Sequence, residues 1–169
     1  MDARTSQTAV VFYSRTGHSR RLAERLAQQV QGQLLEIAAP AYGGIFGYMR
    51  AGYNSLKQSA GAGRVALPSL AGFDRAIVCG PVWTSYPSVP LRNLLRAMQD
   101  HAGGVALFLT SGAHSPPDKA FETGAADLGR AFVATACVPN GVEGTDEEDR
   151  MVGEFLRQFR ASQPAHAQD

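Results

Sequence analysis

The chain of 169 residues is long enough for one globular domain with a substantial hydrophobic core. Apolar residues account for 44% of the chain and charged residues for only 18%, which excludes a disordered protein and a coiled coil. The formal net charge is +1 and no run of lysine or arginine is long enough to follow a phosphate backbone, so we expect no nucleic-acid partner. No apolar stretch reaches the length of a membrane span or a secretory signal, so we expect a soluble cytoplasmic protein without membrane insertion.

Strand and helix patterns alternate along the whole chain. Short apolar runs rich in β-branched residues predict buried strands, and apolar residues at helical spacing predict amphipathic helices. The predicted strands are Thr8–Tyr13, Gln33–Ile37, Phe73–Cys79, Val105–Leu109 and Phe132–Val138. The predicted helices are Ser19–Gln31, a helix from an N-cap at Ser88 to Met98, Asp118–Arg130, and a helix from Thr145 to Phe159.

This alternation predicts an α/β fold with a parallel sheet and helices on both faces. We expect a doubly wound sheet of five strands, for which we take the order 2-1-3-4-5. Thr145 and Glu148 have the spacing of a capping box at the start of the last helix. We expect one domain over residues 1–169, of which 161–169 form an irregular tail without apolar content.

One segment, residues 40–67, is longer than a simple helix with two turns. Its apolar residues at helical spacing are Ile45, Tyr48, Met49, Gly52, Tyr53 and Leu56. A helix that covers the sheet explains this pattern. Alternatively, its tyrosines border a ligand or a subunit interface, so a homodimer stays open.

Polar loops follow the predicted strands at the edge where parallel α/β sheets bind ligands. After the first strand, Ser14–Ser19 provides three hydroxyls and a glycine and runs directly into a helix. Unpaired N–H groups and the helix dipole make such a helix start an anion site. The simpler interpretation is that Thr16 or Ser19 only caps the helix.

The loops after the third and fourth strands add an aromatic wall and a polar rim. The third strand is followed by the only tryptophan, Trp83, in a loop that contains three prolines. The fourth is followed by Thr110–Ser115, which is small and hydroxylic. A phosphate site beside an aromatic platform predicts a pocket for a flat ring that carries a phosphate, as in FMN.

In these three loops the chain resembles the flavodoxin family. Ser14, Thr16, Gly17 and Ser19 match the family's FMN phosphate loop, Trp83 matches the aromatic residue that stacks on the flavin, and "LFLTSGAH" is similar to the third flavin loop. The resemblance implies the flavodoxin-like fold and FMN as cofactor. It implies cofactor contacts at Ser14, Arg15, Thr16, Gly17, His18, Ser19, Pro81, Val82, Trp83, Thr84, Ser85, Tyr86, Thr110, Ser111, Gly112 and Ala113.

The chain also departs from the flavodoxin pattern in two respects. The third loop has no aromatic residue, so a second wall would have to come from Tyr86 or from the Tyr42–Tyr53 region, and the near-neutral charge differs from acidic flavodoxin electron carriers. Two functions stay open. One is an electron carrier with a redox partner protein, and the other is an NAD(P)H-dependent quinone or flavin reductase.

Other classes of function find less support in the sequence. A cysteine-based phosphatase needs an arginine near its thiolate, and neither Cys79 nor Cys137 has one, so both are expected to be buried, reduced thiols without a role in a metal site. A serine hydrolase is excluded because no G-x-S-x-G motif occurs. A binding module without flavin is the weakest alternative that remains.

Overall fold

The computed structural model of the chain describes residues 7–39, 65–112 and 116–162. Its strands are β1 (Thr8–Phe12), β2 (Gln33–Glu36), β3 (Arg75–Trp83), β4 (Tyr86–Pro87), β5 (Val105–Ser111) and β6 (Thr135–Pro139). Five of them are parallel in the order β2-β1-β3-β5-β6, and β4 pairs antiparallel with β3. The predicted order 2-1-3-4-5 is therefore confirmed for the parallel strands, but the described sheet has six strands rather than five.

The central strands are buried because helices cover both of their faces. Every residue of β1 and β5 is buried, and so is the first part of β3. Val10 of β1 lies opposite Ile77 of β3, which lies opposite Ala106 of β5. The apolar runs at the centre of these strands follow from this double burial, since neither face contacts water.

Four helices cover the described part of the sheet, and each begins within one residue of its predicted position. They are α1 (His18–Val30), α2 (Val89–Ala97), α3 (Asp118–Leu128) and α4 (Asp146–Ala161), and a 3-10 helix spans Asn140–Val142. Ala161 thus belongs to α4 rather than to the predicted tail. Most of the segment 40–67, namely 40–64, and residues 163–169 lie outside the described residues.

Two apolar clusters pack on opposite faces of the sheet. Val10 and Phe12 of β1 face the cluster formed by α1 and α4, whereas Ala9 and Val11 face the cluster with α2 and α3. In the first cluster the rings of Phe108 and Phe155 lie 4.7 Å apart. The alternation of successive residues between two helix layers is what an interior parallel strand requires.

Strand β3 continues further than its apolar run. The sequence predicts its end at Cys79, but Gly80 and Pro81 remain in the ladder opposite Leu109 and Thr110 of β5. Gly80 is needed here because a Cβ would lie 2.6 Å from the side chain of Leu91 in α2. This extension carries Trp83 beyond the body of the sheet.

The start of α4 differs from the predicted capping box in detail. The Thr145 hydroxyl donates to the carbonyl oxygen of Val142 at 2.6 Å, and no side chain caps the helix. Glu148 accepts a bond from the N–H of Gly144, at 2.6 Å, instead of from Thr145. The predicted helix start is right, but Glu148 is buried by contacts that the capping-box pattern does not contain.

No helix among the described residues has the length and apolar character needed to cross a membrane.

Candidate ligand-binding site

A cavity of about 380 Å³ lies where β1, β3, β5 and β6 end. This volume is in the range of small-molecule pockets, roughly 300–1,000 Å³. The residues that line it are Arg15, Thr16, His18, Ser19, Pro81, Val82, Trp83, Thr84, Thr110, Gly112 and Asn140. The loops after β1, β3 and β5, which the sequence singled out, thus converge on one space.

The first loop presents the start of α1 to this cavity. Gly17 has a φ of 97°, a left-handed conformation that favours glycine, and no side chain caps the helix. The first helical hydrogen bond runs from the N–H of Arg21 to the carbonyl of Gly17, so the N–H groups of the preceding helical residues have no intrahelical acceptor. The positive end of the α1 dipole therefore faces a cavity lined by Arg15, Thr16 and His18.

Buried hydroxyls join the first and third loops. The Oγ atom of Ser19 and the Oγ1 atom of Thr110 are 2.7 Å apart. The thiol of Cys79 donates to the carbonyl oxygen of Ser19 at 3.6 Å. These contacts fix α1 against β3 and β5, so the floor of the cavity is held by the core of the fold.

Trp83 forms an aromatic wall at the end of β3. Its ring packs edge-on against Tyr13, with centroids 5.7 Å apart and planes at 88°. The chain then reverses through Thr84 and Ser85, whose φ angles of 47° and 71° are both positive, and Tyr86 pairs with Trp83. Positive φ at both central residues is the geometry of a tight type I′ hairpin, which positions Trp83 rigidly at the cavity.

Charged groups from α1 and from the loop before α4 meet beside the first loop. The Nδ1 atom of His18 lies 2.5 Å from the Oε2 atom of Glu143, and Glu143 also forms an ion pair with Arg21. The hydrogen bond with His18, together with the charges of Arg21 and His18, lowers the pKa of Glu143 below its usual value. Glu143 thereby orients the imidazole that lines the cavity.

Ten of the predicted site residues line the cavity, and five described ones do not. Ser14 accepts a bond from the N–H of Gly17 at 3.1 Å, so these two residues shape the loop from within. Ser85 lies in the hairpin turn, and Ser111 bonds to the Cys137 side chain. Tyr86 is 9% exposed, with the Lys119 ammonium over its ring, so it is not a second wall of the cavity. Ala113 lies outside the described residues.

Asn140 lines the cavity, although the sequence analysis did not single it out. It follows β6, directly after Pro139 and before Gly141. The stretch Pro-Asn-Gly has the composition of an ordinary turn, which hides a binding role. The rule that all carboxyl ends of parallel strands border the site could have drawn attention to it.

The two cysteines do not provide a reactive nucleophile. Both are free; Cys79 is buried as predicted, whereas Cys137 is partly exposed. Burial raises the pKa of the Cys79 thiol well above its usual range and also raises the pKa of Cys137. Both thiols are therefore protonated at neutral pH, which agrees with the rejection of a cysteine-based phosphatase. Among the described residues, no group of three or more His, Cys, Asp or Glu residues could hold a metal ion.

Comparison with known proteins gives matches in structure only. No protein-family model matches the sequence, and no curated protein matches it significantly. A flavoprotein from Lactobacillus acidophilus, solved in complex with FMN, aligns over 87% of this chain and 99% of its own with 19% identity and a TM-score of 0.65. The apo-form of the flavoprotein from that organism aligns over 83% of this chain and 97% of its own with 21% identity and a TM-score of 0.62.

A Streptococcus pneumonia flavodoxin aligns over 92% of this chain and 98% of its own, with 10% identity and a TM-score of 0.55. These identities are too low to transfer a function, but the alignments cover nearly the whole length of each protein. They agree with the parallel-sheet α/β fold of the described residues. The chain therefore has the flavodoxin-like fold.

Proposed function

We propose that this protein binds FMN and transfers electrons through the bound flavin. The observation that carries the proposal is the arrangement of one cavity, in which an uncapped helix start and a tryptophan wall are joined by a hydroxyl-bearing floor. The structural neighbour from Lactobacillus acidophilus was crystallised with FMN, which supports the same ligand here.

The residues of the cavity match the three parts of FMN. The N–H groups at the start of α1, with Thr16 and His18, suit the phosphate, because a helix N-terminus favours an anion. Trp83 suits the flat ring, because aromatic rings stack on one another and exclude water. Ser19 and Thr110 lie in the floor of the same cavity, where the sugar alcohol chain would join ring and phosphate.

The chemistry comes from the cofactor, which exchanges electrons with its partners when it is bound. The chain's own residues bind, orient and shield it. Trp83, which packs against Tyr13, would shield one face of the ring from water. Arg15 would place positive charge at the phosphate end, because the loop from Ser14 to Ser19 contains no lysine. Gly112, whose added Cβ would meet no atom within 4 Å, lets the third loop approach the ring edge.

The test is the visible absorption spectrum of the purified protein, with FMN added if the protein is colourless. We expect flavin bands that remain with the protein through gel filtration. Because Trp83 is the only tryptophan, its fluorescence reports on the site directly and should be quenched as FMN is titrated. Failure of FMN to bind under both readouts would overturn the proposal.

A specific observation supports an NAD(P)H-dependent quinone or flavin reductase as a second candidate. Among the described residues, Trp83 is the only aromatic side chain that lines the cavity. A ring that is covered on one face only would leave its other face accessible to a small-molecule substrate. An electron carrier needs only an exposed ring edge for its redox partner protein.

NADPH added to the FMN-loaded protein separates these two candidates. Rapid bleaching of the flavin bands, followed by steady turnover when a quinone is present, would support the reductase. Bleaching that occurs only when a separate reductase protein is added would support the carrier. Trp83→Leu should weaken FMN binding by about 1–3 kcal/mol in either case, since it removes the stacking surface.

A further inference from the structure

Asn140 has an unusual environment for a polar side chain. It begins the 3-10 helix after β6 and lines the cavity, yet its Oδ1 atom is buried and accepts no hydrogen bond from any residue that the structure describes. The other buried side-chain atoms that form no hydrogen bond in this part of the chain belong to Arg21, whose Nε atom forms an ion pair with Glu143, and to Arg75, Ser88 and His101. None of those four residues lines the cavity. The unsatisfied amide therefore coincides with the ligand-binding space.

A buried acceptor without a partner is unfavourable, since native structures satisfy nearly all such groups. The neighbouring polar side chains at this end of the cavity are already paired, Ser19 with Thr110 and His18 with Glu143. The terminal amide of an asparagine turns about its Cβ–Cγ bond with little resistance. A small rotation can therefore direct the Asn140 amide at a ligand.

We propose that Asn140 binds a hydroxyl group of the ribityl chain of the flavin, so that the loop after β6 is a fourth ligand-contacting loop. This inference rests on the proposed function. An amide both donates and accepts, which matches a hydroxyl, whereas phosphate oxygens only accept and are served by the start of α1. Trp83 already provides the surface for the ring. Glu143, three residues after Asn140, contacts His18, so this loop lies towards the α1 end of the cavity and not towards the tryptophan wall.

The test compares Asn140→Leu, which keeps the size of the side chain and removes its hydrogen bonds, with the wild-type protein. Three ligands are titrated: FMN, riboflavin, which lacks the phosphate, and lumiflavin, which lacks the whole ribityl chain. We expect roughly threefold to tenfold weaker binding of FMN and riboflavin and unchanged binding of lumiflavin. Thr145→Val is the matched control, because it changes the same loop outside the cavity and should bind all three ligands as the wild type does.

The stability of the ligand-free protein gives an independent readout. Asn140→Leu should melt at the same or a higher temperature, since it removes a buried acceptor that has no bond to lose. A purely structural role would instead lower the melting temperature.

Three results would overturn the inference. The first is that the variant and the wild type bind riboflavin with equal affinity. The second is that the variant loses affinity for FMN alone, which would indicate a contact to the phosphate. The third is that the variant loses as much affinity for lumiflavin as for FMN, which would indicate a contact to the ring. The proposed function fails separately, if the wild-type protein binds neither FMN nor riboflavin, and the inference then falls with it.

Discussion

Each of the two helix layers of this protein contains a buried carboxylate that forms ion pairs with arginines. Only one of these two clusters also contacts a residue of the cavity. In the layer of α2 and α3, Asp127 bonds to Arg92 at 2.6 Å and to Arg96 at 2.9 Å. In the layer of α1 and α4, the fully buried Glu148 bonds to Arg21 at 2.5 Å and to the N–H of Gly144 at 2.6 Å.

The two clusters differ in the exposure of their arginine side chains and in the further residues that these arginines contact. The Asp127 and Arg92 side chains are 9% and 7% exposed, and neither residue lines the cavity. Arg21 is 38% exposed and also contacts Glu143, which holds the cavity residue His18. A buried ion pair thus joins α2 and α3 in one layer. In the other layer the corresponding ion pair joins α1 and α4 and also contacts, through Glu143, the cavity residue His18. Changes in the first layer should affect stability alone, and changes in the second should affect stability and binding together.

The largest expected effect is that of Asp127→Ala in the layer of α2 and α3. Removing the carboxylate breaks the buried ion pair between Asp127 and Arg92, which should lower the free energy of unfolding by about 3–5 kcal/mol. FMN affinity should be unchanged at temperatures where the variant is folded. Urea denaturation and a fluorescence titration measure the two quantities. The control is Asp149→Ala, an exposed partner of Arg25, which should change stability by less than about 1 kcal/mol.

Glu148→Gln in the other layer should have a smaller effect on stability and a measurable effect on binding. Its arginine partner is partly hydrated, and glutamine keeps one acceptor for the N–H of Gly144, so the loss should be about 2 kcal/mol. Arg21 then loses one of its two carboxylate partners, and its pairing with Glu143 beside His18 is disturbed. Unchanged FMN affinity would show that the ion cluster is as independent of the cavity as the Asp127 cluster.

Two glycines with positive φ provide a matched pair across the layers. Gly17 precedes α1 at the cavity with a φ of 97°, and Gly129 ends α3 with a φ of 78°. An added Cβ meets no atom within 4 Å at Gly17 and only the Gln99 side chain, at 3.9 Å, at Gly129, so alanine introduces backbone strain without a clash. Each variant should lose about 1–2 kcal/mol of stability.

Only Gly17→Ala should also weaken FMN binding, on the order of fivefold or more, because relief of the strain turns the N–H groups at the start of α1. Isothermal titration of both variants checks this. Equal affinities would mean that the first loop does not hold the ligand.

Much of this architecture is predictable because its signals are local. The apolar runs of β1 and β5 are buried on both faces, and the hydroxyl-rich loop after β1 opens directly into α1, so these elements and the loop at the cavity follow from neighbouring residues. The strand order does not follow from such local signals and was expected from the type of fold. The apolar run of β3 predicted its core equally well. Its continuation through Gly80 and Pro81 was not predictable, since it depends on pairing with β5 and on close packing against Leu91.

The remaining features depend on contacts between distant parts of the chain. Glu148 has the sequence signature of a helix cap, but its burial arises from Arg21, which is 127 residues away. Asn140 belongs to a turn by its composition and enters the site only because β6 pairs with β5. A side chain whose role depends on residues distant in sequence produces no periodic pattern in the sequence. Strands and helices do produce such a pattern and can therefore be predicted.

The smallest and most specific effect is expected for Glu143→Gln, which removes the charge that faces His18 and Arg21. Because these partners lower the pKa of Glu143 in the folded state, the carboxylate stabilises the fold above its unfolded pKa of about 4.3, and this contribution is lost as the pH falls through the lower folded value. The variant should therefore be less stable than the wild type by about 0.5–1 kcal/mol at pH 6–7, and the two proteins should converge once the pH has fallen below the lowered folded pKa of Glu143. Glu36→Gln, which breaks the exposed pair with Arg20 on the same helix but away from the cavity, serves as control for binding. FMN affinity should fall only in Glu143→Gln, since that carboxylate alone of the two orients His18. A stability difference that grows towards acid pH would contradict the assigned direction of the Glu143 shift, because a raised folded pKa would give that sign.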